Sequence, residues 1–501
     1  MGSAFVLLLA LAAGPSTTNN DDGCDIGQYP AATLLLPYFE VETATRAVDT
    51  FFTVTNTSNL PQIAHVTIWT DWSFPVMSFN LFLTGYDVQS ISMYDVIVNG
   101  IIAPTNANLT AGGTSSTTIP GPVSAANTAN PNLSVTDCAS LPGIIAAPIR
   151  AAVQNALTNG IYNAQGFTPS CKSTPVGSPA SAHRTATAAV GYVTIDVTSR
   201  CSSTLPNDPN YFAREILFDN VLTGDYETVD KTPGSNYSGG NPLVHIRAVP
   251  EGGPAGSLPP TGPPTSLPYT FYGRFVNGQA IDGLPIPAHV DRRQPLGSTF
   301  SAHFIQAGPT SFNTDLKIWR EGRTGPVTCT TPPSLNSNMQ ILEFVRFDEH
   351  ENPNTFAAGQ IILLPTISIT LPATSRNSTA SAVFPPFNSP SGDTGGWLYL
   401  NLDSGKSNQT INTATHPAFL KRASQNWVVV SMTGAGSTAG LFGVEFDATS
   451  LGNGCSPPTS GSTANGGTLL IGPSGGTPVC PPGFTGPLTQ PCSGNGTNVN
   501  P

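Results

Sequence analysis

Along residues 30–100, apolar and polar positions alternate with period two. Successive side chains of a strand point to opposite faces, so this is the pattern of sheets buried on one side. Ala31–Phe39, Thr50–Asn56, Ile63–Trp69, Phe79–Leu83 and Val88–Met93 read as strands, with Asn56–Pro61 as one of the turns between them. The pattern resumes at Ala189–Val197, Glu215–Phe218 and Leu243–Arg247. It appears again at Thr299–Phe304, Asp315–Trp319, Gln340–Phe347, Ile361–Leu364, Trp397–Leu402, Asn426–Met432 and Leu441–Phe446. One short helix is expected: Pro148 sits in its first turn, Ile149, Ala152, Val153, Ala156 and Leu157 share a face, and Gly160 stops it.

Many short strands separated by turns predict an all-β chain of two β-sandwich, immunoglobulin-like units with long Gly/Pro/Ser/Thr-rich loops. The first unit spans 24–250 and carries a low-complexity insertion near 101–182. A Pro/Gly linker occupies 251–268, the second unit spans 269–455, and 456–501 reads as a low-complexity tail. Val66–Asp71 and Leu316–Glu321 share an apolar-x-Ile-Trp-x-acid pattern, a faint echo between the two units.

The phase of the tryptophans sharpens this picture. In Ile63–Trp69 the apolar phase is Ala64, Val66 and Ile68, which leaves Trp69 on the other side. By the same count Trp319 opposes Leu316 and Ile318, Trp397 and Tyr399 oppose Leu398 and Leu400, and Trp427 opposes Val428 and Val430. Two readings follow. Trp69, Trp319, Trp397, Tyr399 and Trp427 either form an aromatic contact surface for sugars or a partner protein, or lie beneath loops or the other unit.

Composition narrows the setting. Charged residues make up 10% of the chain, where soluble domains average ~25%. Gly 50 and Pro 48, with Ser, Thr and Asn, fill the surface instead. Phe5–Ala13 followed by Gly-Pro-Ser is the apolar core of a signal peptide over residues 1–13, too short to span a bilayer. The expected location is therefore secreted, cell-surface or periplasmic, with no integral membrane segment after cleavage. Eight cysteines, none in a CxxC pair, read as disulfides, with Cys171–Cys201 and Cys480–Cys492 as the candidate pairs. The net charge of −11 and the absence of a basic stripe exclude nucleic acid as a partner class.

Candidate chemistry is sparse. Asp225, Glu227 and Asp230 sit at intervals that a Ca²⁺-binding loop uses, and Asp348, Glu349 and Glu351 crowd around His350 after a strand. Such acidic groups are more often solvated turns than sites, so the expectation is no cofactor beyond structural Ca²⁺, and no catalytic residues. Gly472–Gly476 matches G-x-S-x-G but lacks the strand–turn–helix setting of a nucleophile elbow. Asn56 is among the Asn-x-Ser/Thr positions that a eukaryotic secretory pathway glycosylates.

Leu34–Val41, Phe218–Tyr226, Asp291–Leu296 and Thr314–Trp319 are similar to segments of large secreted bacterial proteins. The resemblance spans about residues 24–455 and implies export, but neither an activity nor site residues. The leading expectation is an exported, non-catalytic surface protein acting through protein or glycan contacts. The alternatives are a secreted carbohydrate-active enzyme using loop carboxylates, or a self-associating filament or surface-layer subunit.

Overall fold

The computed structural model describes residues 27–102, 145–162, 186–204, 215–231, 237–248, 299–306, 312–320, 343–351, 374–378, 394–402, 426–435 and 441–451, with isolated positions between them. The strands in chain order are β1 (Thr33–Glu42), β2 (Val48–Asn56), β3 (Gln62–Thr70), β4 (Pro75–Leu83), β5 (Val88–Ser92), β6 (Ile161–Tyr162), β7 (Ser170–Cys171) and β8 (Ala188–Thr198). Next come β9 (Leu222–Thr223), β10 (Asp225–Asp230), β11 (Tyr237–Pro242), β12 (Val244–Ile246), β13 (Ala280–Ile281), β14 (Leu284–Pro285) and β15 (Thr299–Ile305). The last are β16 (Asn313–Arg320), β17 (Glu343–Phe347), β18 (Thr374–Ser378), β19 (Gly395–Asn401), β20 (Asn426–Ala435), β21 (Leu441–Asp447) and β22 (Thr449–Ser450). The described residues are mostly antiparallel β-sheet with few helices, as the periodicity predicts.

Four larger sheets carry the fold, ordered β12-β1-β8-β3-β4, β11-β10-β2-β5, β17-β19-β15-β22 and β18-β16-β20-β21. None mixes strands from the two sides of the 251–268 segment, which itself lies outside the described residues. In the first pair of sheets, Leu34, Phe39, Val66, Ile68, Val193 and Ile195 meet Phe52, Val54, Ile91 and Tyr226 in one apolar cluster. The expected helix, α1 (Ala147–Thr158), closes an end of that cluster with Val153, Ala156 and Leu157. Gly160 follows it at φ +85°, the left-handed position that stops a helix. Ile149 departs from the expected face: it lies in the first turn, exposed.

The two sheets of the first half differ in how they meet water, and the sequence shows why. β2 alternates buried and half-buried positions, and β10 buried and exposed ones over Asp225–Thr228, because only their inner face is covered. β1, β3 and β8 are buried on both faces almost throughout. The outer face of their sheet carries Leu35, Trp69 and Tyr192, with Val244 and Ile246 of β12, and these form one cluster with Leu316, Ile318, Trp319, Val428 and Val430 of the second half. Trp69 stacks on Tyr192 with ring centroids 5.5 Å apart, and Trp319 meets Tyr192 edge-on at 5.9 Å. On the inner face Gly191 lets β8 approach β3 closely, since a side chain there would collide with the Trp69 carbonyl and the Phe39 ring.

The same contact concentrates scarce charge. The Arg376 guanidinium donates to Asp315 through Nε at 2.7 Å and reaches Glu40 of β1 at 3.3 Å. The buried Lys317 ammonium donates to Glu445, which also accepts from Ser431 Oγ at 2.9 Å. At the rim, Asp447 Oδ1 accepts from Trp427 Nε1 and from Asn241 Nδ2 of β11, both at 2.8 Å. Asp447 is an exposed residue, yet the chain packed beside its carboxyl pushes that group up to about 6. The two hydrogen bonds pull it partly back, and the Glu445 charge pushes it further up.

A raised carboxyl favours folding most in its protonated form. The stability that Asp447 contributes is therefore complete below its ordinary value of 3.8 and is lost as pH rises through about 6. Denaturant titrations between pH 4 and 7 are expected to show this decline in the wild type. Asp447→Asn is expected to flatten it, and an unchanged slope would refute the assignment.

Candidate functional site

Of the five aromatic residues singled out by strand phase, three are covered. Trp69 and Trp319 are fully buried and Trp427 nearly so, all at the contact between the two halves. Their phase is as expected, but the face they occupy is the floor for another sheet. This corrects the reading of a five-residue contact surface. Trp397 and Tyr399 remain on the outward face of β19.

The platform around them follows from strand register. β19 lies between β17 and β15, and directly opposed positions form rows. One row is Phe347, Trp397 and His303; the next is Val345, Tyr399 and Ser301. The inward phase, Phe300, Ala302, Phe304, Leu398 and Leu400, is core and fixes which side faces out. Trp397 is 40% exposed and packs against the His303 ring at a centroid distance of 3.5 Å. Tyr399 and Phe347 are half-buried. Gly396 holds the β17–β19 approach, because its φ of +151° and the nearby Phe347 carbonyl leave no room for a side chain. Rows of rings on a pleated face lie about 7 Å apart along a strand, which follows from the rise per residue. Such a surface offers flat apolar area with polar edges.

The two acidic segments take different forms from those expected. Asp225, Glu227 and Asp230 belong to β10 and do not wrap a loop. Asp225 and Glu227 face outward, accepting hydrogen bonds from Thr53 and Ser238 hydroxyls, while Asp230 lies on the opposite phase. Three carboxylates so placed do not converge on one ion. Asp348, Glu349, His350 and Glu351 form a turn: Asp348 Oδ1 accepts from the His350 amide at 2.8 Å and its carbonyl from the Glu351 amide at 3.1 Å. Glu351 has φ +63° there. Among the described residues no group of three or more His, Cys, Asp or Glu is placed to hold a metal ion.

Cys201 is buried and disulfide-bonded. Cys171 lies in β7, but its side chain, like Cys480 and Cys492, is outside the described residues. Asn56 is buried, and its amide donates to the carbonyls of Leu60 and Thr84, so it braces a turn and presents no acceptor for glycosylation.

One polar assembly has no counterpart in the sequence reading. Thr33, Asp196, His65 and Asn80 are consecutive partners across β1, β8, β3 and β4. Asp196 accepts from Thr33 Oγ1 and Tyr211 OH, each at 2.6 Å, and His65 Nδ1 meets Asn80 Oδ1 at 2.8 Å. Burial pushes the His65 ring below its usual range, against the pull of Asn80 and the charges of Asp196 and Glu215. All four are closed to water, and the assembly fastens Tyr211 and the Ser202 carbonyl to the sheet. The missing signal is long-range register: single histidines and aspartates in separate strands give no hint of their alignment.

Comparison with protein-family models, curated proteins and solved structures gives no match for this chain.

Proposed function

We propose that this chain is an exported, non-catalytic surface protein, built of two immunoglobulin-type β-sandwich units, that holds glycan on the Trp397 face. The observation that supports it is the outward row of Phe347, Trp397 and His303 beside Tyr399, on a face whose opposite side is core. Sugar rings present flat C–H faces and hydroxyl rims, which suit exposed indole and phenol rings held rigidly by a sheet. The charge-poor composition, the apolar run at residues 5–13 and the bonded Cys201 agree with a life outside the cytosol, and Cys171 is the proposed partner of Cys201.

Truncating an aromatic anchor at a binding surface costs roughly 2 kcal/mol or more, about thirtyfold in affinity. Trp397→Ala is expected to weaken binding of a six-hexose oligosaccharide such as cellohexaose or maltohexaose by that factor, with folding unchanged by circular dichroism. Calorimetric titration reads it. Wild-type affinity in Trp397→Ala and Tyr399→Ala alike would remove the face from the proposal.

A further inference from the structure

The outward face of the β5-β2-β10-β11 sheet carries an open groove of about 680 Å³. Its floor is set by register. Thr53 opposes Ser90, and Phe51 opposes Ser92 on one side and Glu227 on the other. Across β10, Glu227 opposes Gly240 and Asp225 opposes Pro242. The inward phase of these strands, Phe52, Val54, Ile91 and Tyr226, is fixed in the core, so the floor is rigid. Phe51 and Pro242 supply apolar area, while Thr53, Asp225 and Glu227 supply polar atoms. No lysine or arginine lines the groove among the described residues. The nearby Arg46 guanidinium lies over the Phe51 ring at 5.9 Å, but Asp49 and Asp95 hold it.

We propose that this groove is a second glycan site, for a neutral, extended polyhydroxylated chain. Its two outward carboxylates already accept hydroxyl donors, Thr53 on Asp225 and Ser238 on Glu227. A sugar brings the same donor to the lone pairs that remain, and the Phe51 ring gives its C–H face a place to rest. Hydrogen bonds to a charged acceptor are the stronger kind, which makes the carboxylates the grip of the site. The inference extends the glycan reading to a separate sheet and borrows from it only the choice of probe.

Calorimetric titration of the whole chain with cellohexaose and maltohexaose tests it. The wild type is expected to bind two equivalents of at least one of them. Trp397→Ala is expected to keep one. Glu227→Gln and Phe51→Ala are each expected to keep one as well, with groove affinity lowered at least tenfold. One equivalent in the wild type that vanishes in Trp397→Ala and persists in Glu227→Gln overturns the groove and keeps the platform. One equivalent that vanishes in Glu227→Gln and persists in Trp397→Ala supports the groove and overturns the platform. Absence of binding in all variants overturns both, as does binding only to an amine-bearing hexose oligomer that salt abolishes.

Discussion

Replacing Trp319 with alanine is expected to cost about 3–5 kcal/mol, the range for deleting a buried large aromatic. Trp319 is fully buried, meets Tyr192 edge-on and sits in the cluster shared by both halves. The hole left behind cannot collapse easily, because the surrounding side chains belong to strands held in two different sheets. The second expectation is the shape of the transition. Urea unfolding followed by fluorescence and by far-ultraviolet dichroism is expected to give coincident curves in the wild type, since the halves share apolar surface. Two separated transitions, with Trp319→Ala shifting only the later half, would show that the shared cluster contributes little.

Glu445→Ala is the other large effect, about 3–5 kcal/mol, for a different reason. Lys317 and Glu445 are both closed to water, with side-chain exposures of 2% and 0%. Removing one partner of a buried pair leaves an uncompensated charge, which costs more than the pair itself contributes. The Lys317 ammonium also lies over the Tyr38 ring at 5.7 Å, too weak a contact to replace a carboxylate. The double variant Lys317→Met with Glu445→Leu is expected to recover most of the loss. A double-mutant cycle measured by denaturant unfolding decides: near-additive losses would mean that the pair is not coupled.

How far the sequence could be read depends on the range of the forces involved. Strand positions come from alternation within a few residues, and Val48–Asn56, Gln62–Thr70 and Asn426–Ala435 lie where that pattern puts them. α1 was legible from Pro148 and Gly160, local signals again. β10 was not, because Asp225, Glu227 and Asp230 look like turn chemistry until Tyr226 is seen buried between Phe52 and Asn241. The tryptophans teach a similar lesson. Alternation correctly puts Trp69 and Trp319 opposite the core phase, yet it cannot say whether water or another sheet lies there. Trp397 and Tyr399 carry the same signal, and only the arrangement of whole sheets separates the two outcomes. The Asp447–Trp427–Asn241 contact joins residues that no local pattern connects.

The doubly covered β1-β8-β3 layer has a practical corollary. A fragment ending near residue 250 would strip the lid from Leu35, Trp69, Tyr192, Val244 and Ile246 together. It would also leave Glu40 without Arg376. Contiguous apolar area of that kind is what makes truncated chains aggregate. The stretch that looks like a hinge in the sequence is therefore a poor place to cut.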